Sequence, residues 1–164
     1  MTSQSVLITD TNIWIDLDNG GILADVLRLP YHFLTPDIAM AELIRPRWQT
    51  LQALGLVLQD LEAEQVTELA QLRLSHRNLS IIDLAAFLLA KDLGATLLTG
   101  DSRLYELAVA NGLLVHGVLW LLDEIIRLHV LVPERAAVAL QKMLEMGARL
   151  PPDECRKRLI DWSR

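Results

Sequence analysis

Two periods of hydrophobic and polar positions alternate over the first two thirds of the chain. Residues 5–9, Ser-Val-Leu-Ile-Thr, make a short apolar run that ends in polar residues, the pattern of a buried strand. Similar runs lie at 31–35 between Pro30 and Pro36, at 56–58 after Gly55, at 96–99 between Gly94 and Gly100, and at 113–115 after Gly112. The segments between them suit helices at 37–45, 62–76, 81–93 and 102–111, and Gly20-Gly21 reads as a turn between two short helices. Strands alternating with helices imply βαβ units. The expected fold class is α/β, a doubly wound, mostly parallel sheet of about five strands flanked by helices.

Beyond residue 117 only the helical period remains. Val118, Leu121, Leu122, Ile125 and Leu128 form one stripe, Ala137, Leu140 and Leu144 another after Pro133, and the chain runs on to Leu159-Ile160-Asp161-Trp162. Two or three C-terminal helices packed on the sheet are expected. No linker rich in Gly, Ser or Pro and no repeat divides the chain, so 1–164 reads as a single domain with a core at about 5–117 and a helical extension at about 118–164.

Composition narrows the class. With 164 residues, 52% apolar and 22% charged, the chain is not disordered, and it is long enough to bury a core without disulfides or a structural metal. The single cysteine, Cys155, cannot form an internal bridge, so a reducing cytoplasm is the expected setting. No basic residue precedes the first apolar run, and no stretch approaches the ~18 uninterrupted apolar residues of a membrane span, so neither a secretory signal nor a membrane association is expected. Fifteen basic against twenty-one acidic residues give a net charge of −6, which argues against gripping nucleic acid through the overall field. Local binding stays open if carboxylates cluster around a cation that reverses their potential.

The positions of four acids bear on that question. Ligands of a doubly wound sheet bind outside the carboxyl ends of its strands. Asp10 follows the first run directly and Asp101 follows the fourth with Gly100 between, so both are expected at one edge. Asp83 falls at the third position of a helix capped by Ser80, and Glu42 one turn inside the helix opened by Thr35-Pro36-Asp37. Together the four suit Mg²⁺ or Mn²⁺, hard ions that prefer carboxylate and water oxygens. Asp10 and Asp101 would hold one ion, with Glu42 and Asp83 binding a second or orienting its waters. Each acid also has a plain structural use: Asp83 in a capping box, Asp101 as a helix cap, Asp10 at a strand end, Glu42 on a solvated helix.

The segments Val6-Leu7-Ile8-Thr9-Asp10-Thr11-Asn12, Ala41-Glu42-Leu43, Ser80-Ile81-Ile82-Asp83-Leu84-Ala85-Ala86 and Leu97-Leu98-Thr99-Gly100-Asp101-Ser102-Arg103-Leu104, in that order, resemble the PIN-domain family of metal-dependent ribonucleases. By this resemblance Asp10, Glu42, Asp83 and Asp101 match the family's metal-binding acids, and Asn12 and Thr99 its supporting polar groups. The helical tail looks like that of a prokaryotic subgroup related to VapC-type toxins of toxin–antitoxin pairs. The resemblance therefore implies an RNA substrate, an antitoxin partner and a homodimer. The reading from a different class is a PIN-like protein-binding module whose acidic pocket receives basic side chains, with little catalysis. A phosphoacceptor receiver domain fits poorly, since Asp10 is followed by Thr11-Asn12 and no lysine closely follows Val115.

Other residues add less. His32, His76, His116 and His129 lack zinc-ligand spacing, and no nucleophile elbow, Walker loop or dinucleotide fingerprint occurs. Trp14, Trp48, Trp120 and Trp162 are expected in the core. Arg45, Arg47, Lys91 and Arg103 lie nearest the proposed acids and could hold phosphates, Lys91 because it falls eight residues after Asp83 on roughly the same helix face. Solvated helix-surface charge explains each of them equally well, and explains Arg156-Lys157-Arg158 too.

Overall fold

The computed structural model of the protein describes residues 5–164. Five parallel strands, β1 (Val6–Thr9), β2 (His32–Pro36), β3 (Val57–Gln59), β4 (Thr96–Leu98) and β5 (Val115–His116), form one sheet in the order β3-β2-β1-β4-β5. Around it, among the described residues, lie nine α-helices: α1 (Thr11–Asn19), α2 (Leu23–Val26), α3 (Trp48–Ala53), α4 (Ala63–Ser75), α5 (Ile81–Leu93), α6 (Ser102–Ala110), α7 (Val118–Arg127), α8 (Pro133–Glu145) and α9 (Pro152–Trp162). No helix among the described residues is long and apolar enough to cross a membrane. The chain adds β2 and β3 on one side of β1, then crosses to add β4 and β5 on the other. The strand order therefore reverses between β1 and β4, which makes their carboxyl ends the switch point of the sheet.

Both faces of the sheet are covered, which explains the continuous apolar runs. Leu7, Phe33 and Leu98 point to one face, where they join Trp14 of α1, Leu121 and Ile125 of α7, and Leu140 and Met143 of α8. Ile8 and Leu97 point to the other, against Leu84, Phe87 and Leu88 of α5 and Leu104 and Ala108 of α6. The register pairs Ile8 with Leu34 and Leu97, and Thr9 with Leu98, so β1 and β4 end level with each other. Helix α5 is buried from 84 to 90 and stops at Gly94, whose φ of 61° closes the helix in the left-handed region. The three C-terminal helices complete the first core rather than decorate it. Arg158 of α9 makes a two-pronged contact with Asp123 of α7 at 3.0 and 2.8 Å.

Two local expectations need correcting. The segment 37–45 is a 3-10 turn over Asp37–Ala41 followed by irregular chain, and Glu42 sits at the end of that turn instead of inside an α-helix. Pro36 starts the segment and Pro46 follows Arg45, which pushes Arg45 out of helical geometry and leaves too few residues to propagate a helix. Helix α3 was not signalled, because only Trp48 and Leu51 of its six residues are buried. The fifth strand starts two residues later than its apolar run at 113–115, at Val115–His116. The turn at Gly20-Gly21 between α1 and α2 stands as expected.

Candidate functional site

The acids at the switch point are aimed by helix capping. Asp10 follows β1 and caps α1, its Oδ1 accepting the Ile13 N–H at 3.1 Å. Its Oδ2 accepts the Thr99 hydroxyl at 2.5 Å. Thr99 Oγ1 in turn accepts the Asp101 backbone N–H at 3.1 Å, so a single hydroxyl ties the end of β1 to the loop after β4. Asp101 caps α6, its Oδ1 accepting the N–H groups of Arg103 and Leu104 at 2.8 and 3.1 Å. Asp83 closes a capping box with Ser80 at the start of α5: Ser80 Oγ accepts the Asp83 N–H at 3.0 Å and Asp83 Oδ2 accepts the Ser80 N–H at 3.3 Å. Capping and ligation do not compete here. One oxygen of Asp83 and one of Asp101, Oδ1 and Oδ2 respectively, accept no hydrogen bond among the described residues.

Glu42 reaches this edge by another route. Its Oε2 accepts the Thr11 hydroxyl at 2.9 Å, and Thr11, buried, is the residue next to Asp10. The exposed loop carboxylate is thereby tethered to the first turn of α1. Asn12 lies exposed on that same turn and makes no side-chain hydrogen bond among the described residues. Beneath the acids runs a buried seam of hydroxyls: Thr9 and Thr35 Oγ1 atoms are 2.6 Å apart, and the Trp14 indole N–H donates to Thr35 Oγ1 at 3.2 Å. Thr9, Thr11, Thr35 and the role of Trp14 as a donor escaped the sequence reading. A threonine closing each of two apolar runs was the available signal.

Electrostatics couples three of the acids. Burial pushes the Asp10 carboxyl up to about 6. The Thr99 hydroxyl and the Ile13 N–H pull it down, and the charges of Asp83 and Asp101 push it up. The structure thus brings Asp10, Asp83 and Asp101 into one field and holds Glu42 beside it. Among the described residues, no group of three or more His, Cys, Asp or Glu side chains is placed to hold a metal ion between them.

A family model described as DUF3368, a PIN domain, matches residues 6–164. The chain belongs to the PIN-domain family. PIN domains are commonly nucleases and usually use divalent metal ions. The fold is similar to that of a PilT N-terminus domain protein, SSO1118, from the hyperthermophilic archaeon Sulfolobus solfataricus P2, with a TM-score of 0.54 and 16% identity, covering 74% of this chain and 93% of that one. No curated protein matches the chain.

The donors of this PIN domain fit a hard divalent ion. They are carboxylates with spare oxygens around a buried, mutually repelling centre, and Mg²⁺ needs only one or two carboxylates directly because it keeps several waters. The basic residues divide. Lys91 is not near the acids: α5 runs away from the sheet edge, so eight residues carry Lys91 about 12 Å from Asp83, where it pairs with Glu68 of α4 at 3.6 Å. Arg103 stays close, its guanidinium donating to the Asn78 carbonyl at 3.2 Å. Arg45 and Arg47 are exposed on the irregular segment after Glu42. In the 156–158 run, Arg156 pairs with Asp153, while Arg158 is structural through Asp123 and Glu154. Trp14 and Trp48 are buried, and Trp120 and Trp162 are partly buried against the first core.

Sequence also gave no hint of a second buried carboxylate. Glu124 of α7 accepts both Arg127 Nε and a terminal guanidinium nitrogen at 2.7 Å, and accepts the Tyr31 hydroxyl. The Arg127 hydrogen bonds hold its carboxyl below the usual range. His116 stacks on Trp120 with ring centroids 4.4 Å apart. This group fastens α7 to the segment before β2.

Proposed function

We propose that this PIN domain is a divalent-metal-dependent endoribonuclease that hydrolyses RNA phosphodiester bonds. The observation that carries the reading is Asp10, a buried carboxylate at the switch point with its proton affinity raised, close to the charges of Asp83 and Asp101 and with no basic side chain paired to it among the described residues. Such a centre is unfavourable without a cation. Asp10 and Asp101 are the residues to hold Mg²⁺ or Mn²⁺, with Glu42 and Asp83 holding a second ion or orienting its waters. A bound ion supplies an acidified water and neutralises charge on the phosphate. Thr99 donates to the Asp10 carboxylate and fixes its direction, and Thr11 tethers the exposed Glu42 to the first turn of α1. Asn12 and Thr99 are the supporting polar groups.

The finer biological reading is the toxin of a toxin–antitoxin pair, acting in the cytoplasm as a homodimer. An acidic centre on an open edge also suits a basic side chain of an inhibiting antitoxin. The test of the enzyme is Mn²⁺ titration of the purified protein against mixed cellular RNA. Cleavage is expected to rise with Mn²⁺, to vanish on chelation, and to fall at least about 100-fold in Asp10→Asn, since even outer partners of metal ligands cost 10–100-fold. Cleavage indifferent to chelation and to Asp10→Asn sinks the proposal.

A further inference from the structure

A cleft opens beside the acids, between the loop that links α4 to α5 and the first turns of α6. Leu79 and Leu107 lie among its lining residues, with His76, Asn78, Arg103 and Glu106. The same short segments that wall the cleft deliver the candidate ligands, since the loop leads into Ser80 and Asp83, and Arg103 is two residues past Asp101. Arg103 spans both regions. Its backbone N–H donates to Asp101 Oδ1 at 2.8 Å, while its side chain crosses to the Asn78 carbonyl at 3.2 Å.

That contact uses one N–H of a guanidinium that has five. The others stay available on an exposed side chain. Arg73 of α4, whose guanidinium donates to the Arg77 carbonyl at 3.0 Å, and Arg77 itself continue the basic stretch along the same loop. In a chain of net charge −6, three arginines and a histidine gathered around one loop stand apart, and among the described residues Glu106 is the only acid lining the cleft. Guanidinium groups match phosphate geometry, and Leu107, half-buried in the cleft wall beside the buried Leu79, offers an apolar surface to a base.

We infer that this cleft is the subsite for the single-stranded RNA flanking the cut. Arg103 in the cleft and the exposed Arg77 on the loop at its rim each contact a backbone phosphate, and a neighbouring base lies against Leu107. The inference rests on the nuclease reading for the identity of the strand. It resolves how an acidic protein holds a polyanion: the attraction is local and sits one turn from the carboxylates.

The test is binding of a short single-stranded oligoribonucleotide as a function of salt, in the Asp10→Asn background and in EDTA, so that neither turnover nor a cation contributes. Arg103→Gln and Arg77→Gln are each expected to weaken binding about tenfold and to lower the slope of log affinity against log salt by about 0.7, the loss of one phosphate contact. Arg135→Gln on exposed α8 carries the same charge change and is expected to leave both unchanged. Circular dichroism melts check that each variant is folded, and Arg77, which has only its backbone carbonyl in a described contact, is the safeguard if Arg103→Gln is not. Equal loss in Arg135→Gln, no loss in Arg103→Gln and Arg77→Gln, or no RNA binding at 50 mM salt overturns the subsite. Metal-dependent cleavage with binding unchanged in Arg103→Gln and Arg77→Gln removes the subsite and leaves the nuclease; the expected binding pattern without any cleavage by wild type removes the nuclease and leaves an RNA-binding cleft.

Discussion

Replacing Asp10 with Asn is expected to stabilise the metal-free protein at neutral pH, and the structure sets both the size and the pH range of the effect. Burial raises the Asp10 carboxyl from its ordinary 3.8 to about 6. Because the folded state binds this proton more tightly than the unfolded state, stability falls as pH rises from about 4 to about 6 and is level above that. The difference of about two pH units corresponds to about 3 kcal/mol of destabilisation at pH 7.5. Asn carries no charge to desolvate, and its side-chain oxygen still caps α1. Its amide, however, meets Thr99 Oγ1, which already accepts the Asp101 N–H, so the Thr99 hydroxyl proton loses its acceptor at a cost of about 1 kcal/mol.

The net expectation is a gain of about 2 kcal/mol at pH 7.5 that shrinks to nothing, or to a loss of about 1 kcal/mol, at pH 4. Urea unfolding in EDTA at pH 4, 5, 6 and 7.5 reads this directly, and with a slope of roughly 2 kcal/mol per molar the midpoint shifts by about 1 M. Adding Mn²⁺ should then raise the wild type and leave Asp10→Asn nearly unchanged, because only a state that binds the ion gains from it. An Asp10→Asn variant no more stable than wild type at pH 7.5, or a difference that does not vary between pH 4 and 7.5, would refute the claim that Asp10 is a buried, uncompensated charge.

The other expectations are smaller. Thr99→Val keeps the shape but removes the donor that lowers the Asp10 proton affinity, so the acid limb of the pH–cleavage profile should move to higher pH and activity should fall by about 10–100-fold; an unmoved limb counts against the link. Thr11→Val should reduce cleavage by about tenfold and weaken Mn²⁺ binding, with both restored in Thr11→Ser, which keeps the hydroxyl that holds Glu42. In Gly20→Ala the new Cβ would lie 2.6 Å from Met143 Cε and 3.2 Å from the Ala139 carbonyl, so unfolding should show a loss of about 1–3 kcal/mol, and a smaller combined loss than the sum when paired with Met143→Ala. Arg158→Met should cost about 1 kcal/mol and raise hydrogen exchange in α9 more than in α7.

What could be read from sequence was whatever depended on neighbours along the chain. Asp10 and Asp101 were legible because a strand end followed within two residues by an acid fixes an address on a parallel sheet, and Asp83 because Ser80 announces the start of α5. The sheet itself was legible because strands buried on both faces cannot hide polar residues. Glu42 was located in sequence but not in structure, since the difference between an α-helix and a 3-10 turn was decided by prolines at both ends of nine residues. The tethers were out of reach: Thr11 meets Glu42 across 31 residues, Thr99 meets Asp10 across 89, and Tyr31 meets Glu124 across 93. Lys91 was misplaced for a related reason, because a shared helix face says nothing about which end of the helix touches the site.

The tethers share a logic that accounts for so many buried hydroxyls in an otherwise apolar interior. Three parallel strands, β2, β1 and β4, end together under the acids, and nothing in a hydrophobic core fixes how far each end protrudes or how α1 is rotated on top of them. Thr35 on β2 bonds to Thr9 on β1, Trp14 on α1 bonds to Thr35, and Thr99 after β4 bonds to Asp10. Each bond is directional where apolar contact is not. The Trp14 indole therefore sets the roll of α1, and the roll of α1 sets where its cap, Asp10, faces. Losing the Thr35 hydroxyl would leave a buried indole N–H without its acceptor, at a cost of about 1–3 kcal/mol, and would loosen the site two bonds away. The seam is thus a stability device whose geometry decides the aim of the carboxylate it never touches.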